Sequence, residues 1–345
     1  MTTAKKKSGR YTISLIRGDG VGPEISEASL HVLDAVNDKL SLDIAVKESP
    51  AGDECNARTG VPLPDSSIKT IRASDACFKA PVGATAADVI VRLRQMFDTY
   101  ANIRPAKSLP GVPSLKPGID LVIVRENTED IYKGQEFEFK GGVVALRTVT
   151  TRACERIAEH AFRLAEQRRR KVVAVHKSNV LRKSDGLFSQ VCKEVSKKHR
   201  KVSFSEMLVD AAAMNLIRDP LAFDVMVTTN LYGDILSDEA AQLVGGLGMV
   251  PSANIGEKFA IFEPVHGAGP DIAGKGVANP IAMILTEAMM LEWLATTRKD
   301  RACAAAASEV RGAVNKVLKT GLKTPDLGGK AGTNQVAEAI SEAIS

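Results

Sequence analysis

The stretch YTISLIRGDGVGPE, residues 11–24, decides how the fold begins. A β-rich apolar run, residues 11–16, leads into Gly18, Gly20 and Gly22 and then into Pro23. Proline suits the first turn of a helix, where its fixed φ and missing N–H cost nothing. Ile25, Ala28, Val32, Leu33 and Val36 follow at helical spacing and predict a single apolar stripe. The opening comes close to a dinucleotide fingerprint, but G-x-G-x-x-G needs a third glycine where Pro23 stands. No acid in a clear strand-end setting follows about twenty residues later either. A standard Rossmann site is disfavoured. The loop is then either a tight strand-to-helix turn or a ligand contact.

Outward from this start, apolar runs at 121–124, 143–146, 172–175 and 225–228 read as strands, and 88–100, 154–166 and 186–197 read as helices. The alternation predicts an α/β chain with much parallel sheet. At 345 residues the chain exceeds a comfortable single core, yet no linker divides it. One domain inserted in another is the expected solution: 1–99 and 246–345 surrounding 100–245, with Gly245, Gly246 and Gly248 at a crossing. A composition 44% hydrophobic and 25% charged excludes collagen-like, low-complexity and wholly disordered classes.

The net charge of +5 is concentrated at the start, where Lys5, Lys6, Lys7 and Arg10 meet no acid. The rest is near neutral, so no nucleic-acid footprint is indicated. No apolar run is long enough for a bilayer; 280–295 comes nearest and is broken by Thr286, Glu287 and Glu292. MTTAKKKSGR lacks the apolar segment of a secretory signal. Cys55, Cys77, Cys154, Cys192 and Cys303 are odd in number and never C-x-x-C. They point to reduced thiols, a cytoplasmic home and no zinc cage.

Four groups of residues carry chemistry. Arg94, Arg104 and Arg125 each follow an apolar stretch, and converging guanidinium forks would suit a di- or tricarboxylate. Singly, each is more often a surface or salt-bridge arginine, and the signal is in the set. Asp234 and Asp238 lie four apart, on one helix face, where like charges repel unless a divalent cation joins them. Asp210 is a possible third ligand, and Asp234 could instead be an N-cap. Lys177 follows an apolar run in HKSN, where desolvation could lower its pKa for a general base. Finally, EPVHGAGPDIAG, residues 263–274, forms a rigid loop able to approach a ligand through its backbone, or a plain structural loop.

Together the motifs resemble those of the β-decarboxylating dehydrogenases, the isocitrate and isopropylmalate dehydrogenase family. GDGVGPE, ANIRP, RENTEDIY, HKSNV, NLYGDILSD and EPVHGAGPDIAG occur in family order from about residue 11 almost to the C-terminus. The resemblance implies the two-domain, non-Rossmann isopropylmalate dehydrogenase-like α/β fold. It implies a homodimer whose active site lies between domains and is completed by the partner, with pairing into a tetramer left open. It implies that Arg94, Arg104 and Arg125 hold the malate carboxylates and that Asp234 and Asp238, with Asp210 from the partner, hold Mg²⁺ or Mn²⁺. Lys177, also from the partner, would take the hydroxyl proton, and Tyr132 would protonate the enol carbon. Asn179, Glu263, His266, Gly267, Asp271, Ile272 and Asn279 would line the cofactor site.

NADP-using members of the family carry Lys-Tyr where this chain has Asp271-Ile272, and a carboxylate there opposes a 2′-phosphate, so NAD is expected. On a helical period Ile90 and Val91 share the face of Arg94. That apolar floor suits an isopropyl group, and GATAADVIVRLRQ resembles archaeal-type isopropylmalate members most. The expected reaction is 3-isopropylmalate to 2-oxoisocaproate, in leucine biosynthesis. Asp88 and Arg92 keep isocitrate, homoisocitrate and D-malate open, and Ala87 stands where bacterial isopropylmalate members often carry an acid. A Mg²⁺-dependent hydrolase or a non-catalytic subunit would leave the 263–274 loop, or the intact Lys177, Tyr132 and aspartates, unexplained.

Overall fold

The computed structural model describes residues 11–344; Lys5, Lys6, Lys7 and Arg10 lie outside the described residues. Its strands are β1 (Tyr11–Ile16), β2 (Ile44–Glu48), β3 (Ala76–Lys79), β4 (Ala101–Lys107), β5 (Asp120–Glu126), β6 (Glu136–Phe139), β7 (Gly142–Ala145), β8 (Lys171–His176), β9 (Ser203–Leu208), β10 (Val225–Thr228), β11 (Pro251–Ile255) and β12 (Ala260–Pro264). The chain forms two compact units, one of residues to Val89, Leu109–Gly111 and from Ile261, the other of Ile90–Ser108 and Val112–Ala260. One unit is thus inserted in the other, with its outer crossings at 89/90 and 260/261, against the expected 99/100 and 245/246, and a brief return to the first unit over 109–111.

In the first unit the strand order is β2-β1-β3-β12, all parallel. The opening stretch folds as read: β1, a turn, then a helix at Gly22–Leu40 with proline in its first turn. That helix packs with Ile281–Arg298, Arg301–Lys319 and Thr333–Ile344. Ile281–Arg298 is the segment nearest to a membrane span in the sequence. Its Ile281–Leu285 run, Ala288, Met290, Leu291 and Leu294 are all buried, which makes it a core helix. No helix among the described residues is long and apolar enough to cross a membrane.

The glycine loop proves to be a brace. Asp19 is its centre, its carboxylate accepting from the amides of Asp53 (2.9 Å), Glu54 (3.1 Å) and Gly83 (3.0 Å). Asp53 in turn accepts from Ala84 and Thr85 amides, both at 2.8 Å. At Gly20, φ is +60° and an added Cβ would sit 2.0 Å from the Ala268 carbonyl oxygen. Beside it, the Val21 amide donates to that same oxygen at 2.8 Å. The first motif therefore seats the 263–274 loop.

In the second unit the order is β11-β4-β5-β10-β8-β9, with β4 antiparallel to both neighbours and the rest parallel. Two expectations need correction. The predicted helix 88–100 is a π-turn at Ala87–Val91 followed by a short α-helix at Arg92–Met96. Asp98, at φ +46°, then turns the chain, and Phe97 stacks on Phe259 at 4.5 Å, which releases the backbone into β4. The strand predicted at 143–146 lies outside the main sheet. It forms a separate antiparallel hairpin of β6 and β7 whose Phe137, Phe139, Val143 and Val144 are exposed.

Replacing Gly20 by alanine sets a Cβ against a backbone carbonyl in left-handed geometry. It should cost about 2–4 kcal/mol in chemical denaturation. Gly60, also at positive φ but with nothing within 4 Å, should cost less when changed the same way.

Candidate active site

Sheet register brings the arginines together. Across the antiparallel pair β4–β5, Asn102 faces Arg125. Arg104 is two residues beyond Asn102 on the same strand, so the two guanidinium groups emerge as diagonal neighbours on one face. Arg125 is almost wholly buried, and its Nη2 has no hydrogen-bond partner. Burial, and then the charge of Arg104, work against its protonated state. Asp234 offsets them: its Oδ1 accepts from Arg125 Nη1 and lies 3.3 Å from Arg104 Nη1. Burial pushes the Asp234 carboxyl up, but Arg125 and Arg104 outweigh it and hold it below the usual range.

Tyr132, from the 3₁₀ turn Ile131–Lys133, donates to the other oxygen of Asp234 at 2.5 Å. The Arg125 guanidinium carbon lies 5.0 Å from its ring centroid, a cation–π contact. Desolvation raises the Tyr132 phenol to about 12, so it carries its proton at neutral pH. The buried Arg94 sits close enough for its charge to act on Arg125, Tyr132 and Asp234. Ile90 and Val91 are buried and half-buried in the π-turn that precedes it, a distortion frequent at functional sites.

Two features fix this cluster. Gly233 gives the Arg125 stem its path: a Cβ there would lie 2.5 Å from Arg125 Cγ and 2.7 Å from Cβ. An amide chain orients Arg104. Its Nε donates to Asn102 Oδ1 at 2.6 Å, and Asn102 and Asn127 both donate to Asn254 Oδ1, at 3.0 and 2.9 Å. These asparagines, and Ser237, which accepts from Arg104 at 2.7 Å, were not among the expected site residues. Asn102, Asn127 and Ser237 lie inside the motifs ANIRP, RENTEDIY and NLYGDILSD, next to residues that were.

The donor set suits a hard divalent cation in part. Asp234 and Asp238 stand one turn apart on the helix Asn230–Gln242, and Arg104 Nη1 lies 3.3 Å from an oxygen of each. Neither is an N-cap. Burial, with Asp234 adding to it, raises the Asp238 carboxyl, which an added cation would reverse. Two carboxylates with oxygens from elsewhere are an ordinary Mg²⁺ arrangement. Among the described residues no group of three or more His, Cys, Asp or Glu could hold a metal.

Asp210 is not with them; it pairs with Lys177 at 2.5 Å, in the first turn of the helix Val209–Arg218. Lys177 is half-buried and ion-paired rather than desolvated in an apolar pocket, as its place after an apolar strand had suggested. Its backbone amide donates to the buried Asp185 at 2.6 Å. Asn179, exposed two residues on, belongs to this second unit and not to the one that holds the other expected cofactor residues.

In the first unit, Glu263 forms a buried pair with Lys79 at 2.8 Å. Desolvation lowers the His266 pKa, keeping the ring neutral, and its buried Nε2 has no hydrogen-bond partner. Asn279 donates to Asp326 at 3.0 Å. Gly267, Asp271 and Ile272 are exposed along the loop. An open backbone loop that includes an unpartnered imidazole nitrogen offers hydrogen-bonding groups to a polar ligand. Lys79 and Asp326 were missed, being single residues far from the loop in sequence.

The class is therefore an α/β protein of two units, one carrying an arginine cluster around paired carboxylates, the other a glycine-rich loop that includes a buried imidazole nitrogen without a hydrogen-bond partner. The sequence pattern of the isocitrate/isopropylmalate dehydrogenases matches residues 12–340, and the chain belongs to that family. It is 50% identical over 332 residues to a 3-isopropylmalate dehydrogenase of Saccharolobus solfataricus, covering 96% of this chain and 98% of that one. It is 47% identical to an isocitrate/homoisocitrate dehydrogenase of Thermus thermophilus, over 97% of this chain and 98% of that one. The crystal structure of isocitrate dehydrogenase from Methylococcus capsulatus superposes with a TM-score of 0.90 at 41% identity, over 97% and 99% of the two chains.

Gly233→Ala should lower stability by about 1–3 kcal/mol in thermal or chemical denaturation, although alanine is the better helix former by about 1 kcal/mol. A gain in stability would mean that the Arg125 stem has room to move.

Proposed function

We propose that the chain catalyses NAD-linked oxidative decarboxylation of 3-isopropylmalate to 2-oxoisocaproate, a step of leucine biosynthesis, as a cytoplasmic homodimer. The observation that carries the reading is the buried arginine cluster: three guanidinium groups around one carboxylate and one phenol, with spare donor capacity at Arg125 Nη2. Relatives about 50% identical bear the name of this activity. The apolar Ile90 and Val91 in front of Arg94 support the isopropyl group. The free, buried state of all five cysteines supports a reducing compartment.

In this reading Arg94, Arg104 and Arg125 bind and orient the two substrate carboxylates. Lys177 takes the proton from the C2 hydroxyl. Tyr132, protonated at neutral pH, delivers a proton to C3 after CO₂ has left, and its bond to Asp234 holds the phenol in place. Asp234 and Asp238, with Asp210 of a second copy, would hold Mg²⁺ or Mn²⁺; Glu263, His266, Gly267, Asp271, Ile272, Asn279 and, from the second copy, Asn179 would hold NAD. When bound, the nicotinamide would supply the acceptor for the C2 hydride and the cation would supply the positive charge that polarises the C2 oxygen. Asp271 favours free ribose hydroxyls and repels a 2′-phosphate.

A second copy is supported from two sides. Lys177 and Asp210 pair with each other and not with Asp234 or Asp238, as expected of residues delivered together to a neighbour's site. The hairpin residues Phe137, Phe139 and Val143, with Met214, Ile217 and Ile235 on two helices of the same unit, are large apolar side chains left exposed, the residue type that a subunit interface covers.

NADH formation from 3-isopropylmalate, homoisocitrate, isocitrate and D-malate, with Mg²⁺ and then with EDTA, tests the proposal. Metal-dependent turnover dominated by 3-isopropylmalate is expected, and preference for either isocitrate would move the assignment to that substrate. Lys177→Ala should lower kcat by at least about 10³-fold while NADH binding persists. Asp271→Lys with Ile272→Tyr should shift the kcat/KM ratio toward NADP by about 10²-fold or more.

A further inference from the structure

Arg147 follows the hairpin strand β7 and belongs to none of the roles above. Its guanidinium is largely buried, with a side-chain exposure of 15%, and every edge of it is engaged. Nε donates to Asp130 Oδ1 at 2.8 Å, and Nη2 to Asp130 Oδ2 at 3.3 Å and Thr229 Oγ1 at 2.7 Å. Nη1 donates to Asp185 Oδ1 and, at 3.4 Å, to Ser184 Oγ. The Tyr232 ring centroid lies 5.1 Å from the guanidinium carbon. The side chains of both carboxylates are out of solvent, Asp130 at 1% and Asp185 at 0% exposure. A lysine, as a compact point charge, could not hold two carboxylates and a hydroxyl in this plane.

What the two carboxylates hold gives the arrangement its meaning. Asp130 stands two residues before Tyr132 at φ +69°, a conformation uncommon outside glycine. It accepts from the amides of Ile131 at 2.9 Å and Leu231 at 3.2 Å, so it fixes the turn that presents Tyr132 to the helix carrying Asp234. Asp185 accepts from the Lys177 amide at 2.6 Å and so fixes the strand end that presents Lys177. Thr229 opens the Asp234 helix.

We propose that Arg147 is a positioning residue that registers the proton donor Tyr132 and the proton acceptor Lys177 of the same chain from one point. The proposal rests on the function proposed above and goes beyond it. Where Lys177 serves a neighbour's site and Tyr132 its own, one guanidinium sets geometry in both sites of a dimer.

The two proton transfers can be read separately. The first-turnover burst of NADH from 3-isopropylmalate reports the Lys177 step, in which the hydroxyl loses its proton and C2 its hydride to NAD. Deuterium uptake from D₂O at C3 of 2-oxoisocaproate, with Mg²⁺, reports the Tyr132 step run backwards and then forwards: with its own proton lost to solvent, the phenolate takes a proton from C3, exchanges it for solvent deuterium and returns it, so that a C–H bond breaks and a C–D bond forms. Both are counted per competent site, from NADH binding stoichiometry by fluorescence. Arg147→Lys should slow both by about 10-fold or more, with KM for the substrate within about two-fold, since the substrate arginines are untouched. Asp185→Asn should slow the burst alone, and Asp130→Asn the exchange alone. Arg147→Lys enzyme that keeps either process at the wild-type rate per site overturns the proposal. Should that variant not fold, the two asparagine variants decide: equal effects of each on both processes overturn it, and the split pattern upholds it. A wild-type chain inactive in both assays would overturn the functional reading and the proposal with it.

Discussion

Everything in the second unit is arranged around the burial of one charge, the Arg125 guanidinium. An isolated ion at that depth would be prohibitively costly, and a second arginine on the same sheet face adds to the cost. Asp234 makes the arrangement tolerable, and in doing so it is itself held ionised and drawn into contact with Tyr132. Gly233 removes the side chain that would block the arginine stem, and Asn230 receives Arg125 Nε through both its carbonyl and its side chain at 2.9 Å. The motif NLYGDILSD is therefore a single device: each of Asn230, Gly233, Asp234, Ser237 and Asp238 answers to the positive charges on the two strands beneath it.

The same logic explains the acid-rich segment RENTED. Glu126 accepts from the Thr128 and Glu129 amides, at 2.7 and 2.9 Å, Glu129 accepts from Thr150, and Asp130 from Arg147. The acids brace the turn that joins Arg125 before it to Tyr132 after it. A turn braced in this way holds the Tyr132 phenol, whose pKa is raised, against Asp234.

Much of this was legible because it is local. Residues 11–24 announce strand, turn and helix through proline and glycine placement, and Asp234 with Asp238 announces a shared helix face through spacing alone. The arginine cluster was legible as a set of residue types, although only strand register could bring Arg104 and Arg125 side by side. What stayed hidden was distant or ambiguous. The apolar pattern around Val89, Ile90 and Leu93 fits an α-helix as well as the π-turn that forms, and the decisive Phe97–Phe259 stack joins residues far apart in sequence. The 143–146 run reads as a core strand because periodicity reports apolarity, and an apolar run that stays exposed looks the same in sequence. Asn254 and Arg147 are lone polar residues in unremarkable surroundings, and nothing nearby marks them.

The seat of the 263–274 loop has a consequence of a different kind. Its anchor is the Ala268 carbonyl, held by the Val21 amide and pressed by Gly20, so main chain grips main chain. Side chains at the exposed tip, Asp271 and Ile272, take no part in that grip. A loop secured in this way can change its tip by mutation without losing its mooring, so the residues it exposes can vary while the fold is inherited unchanged. On the function proposed above, such a separation would let one scaffold drift between cofactors by a few codon changes with little effect on its stability.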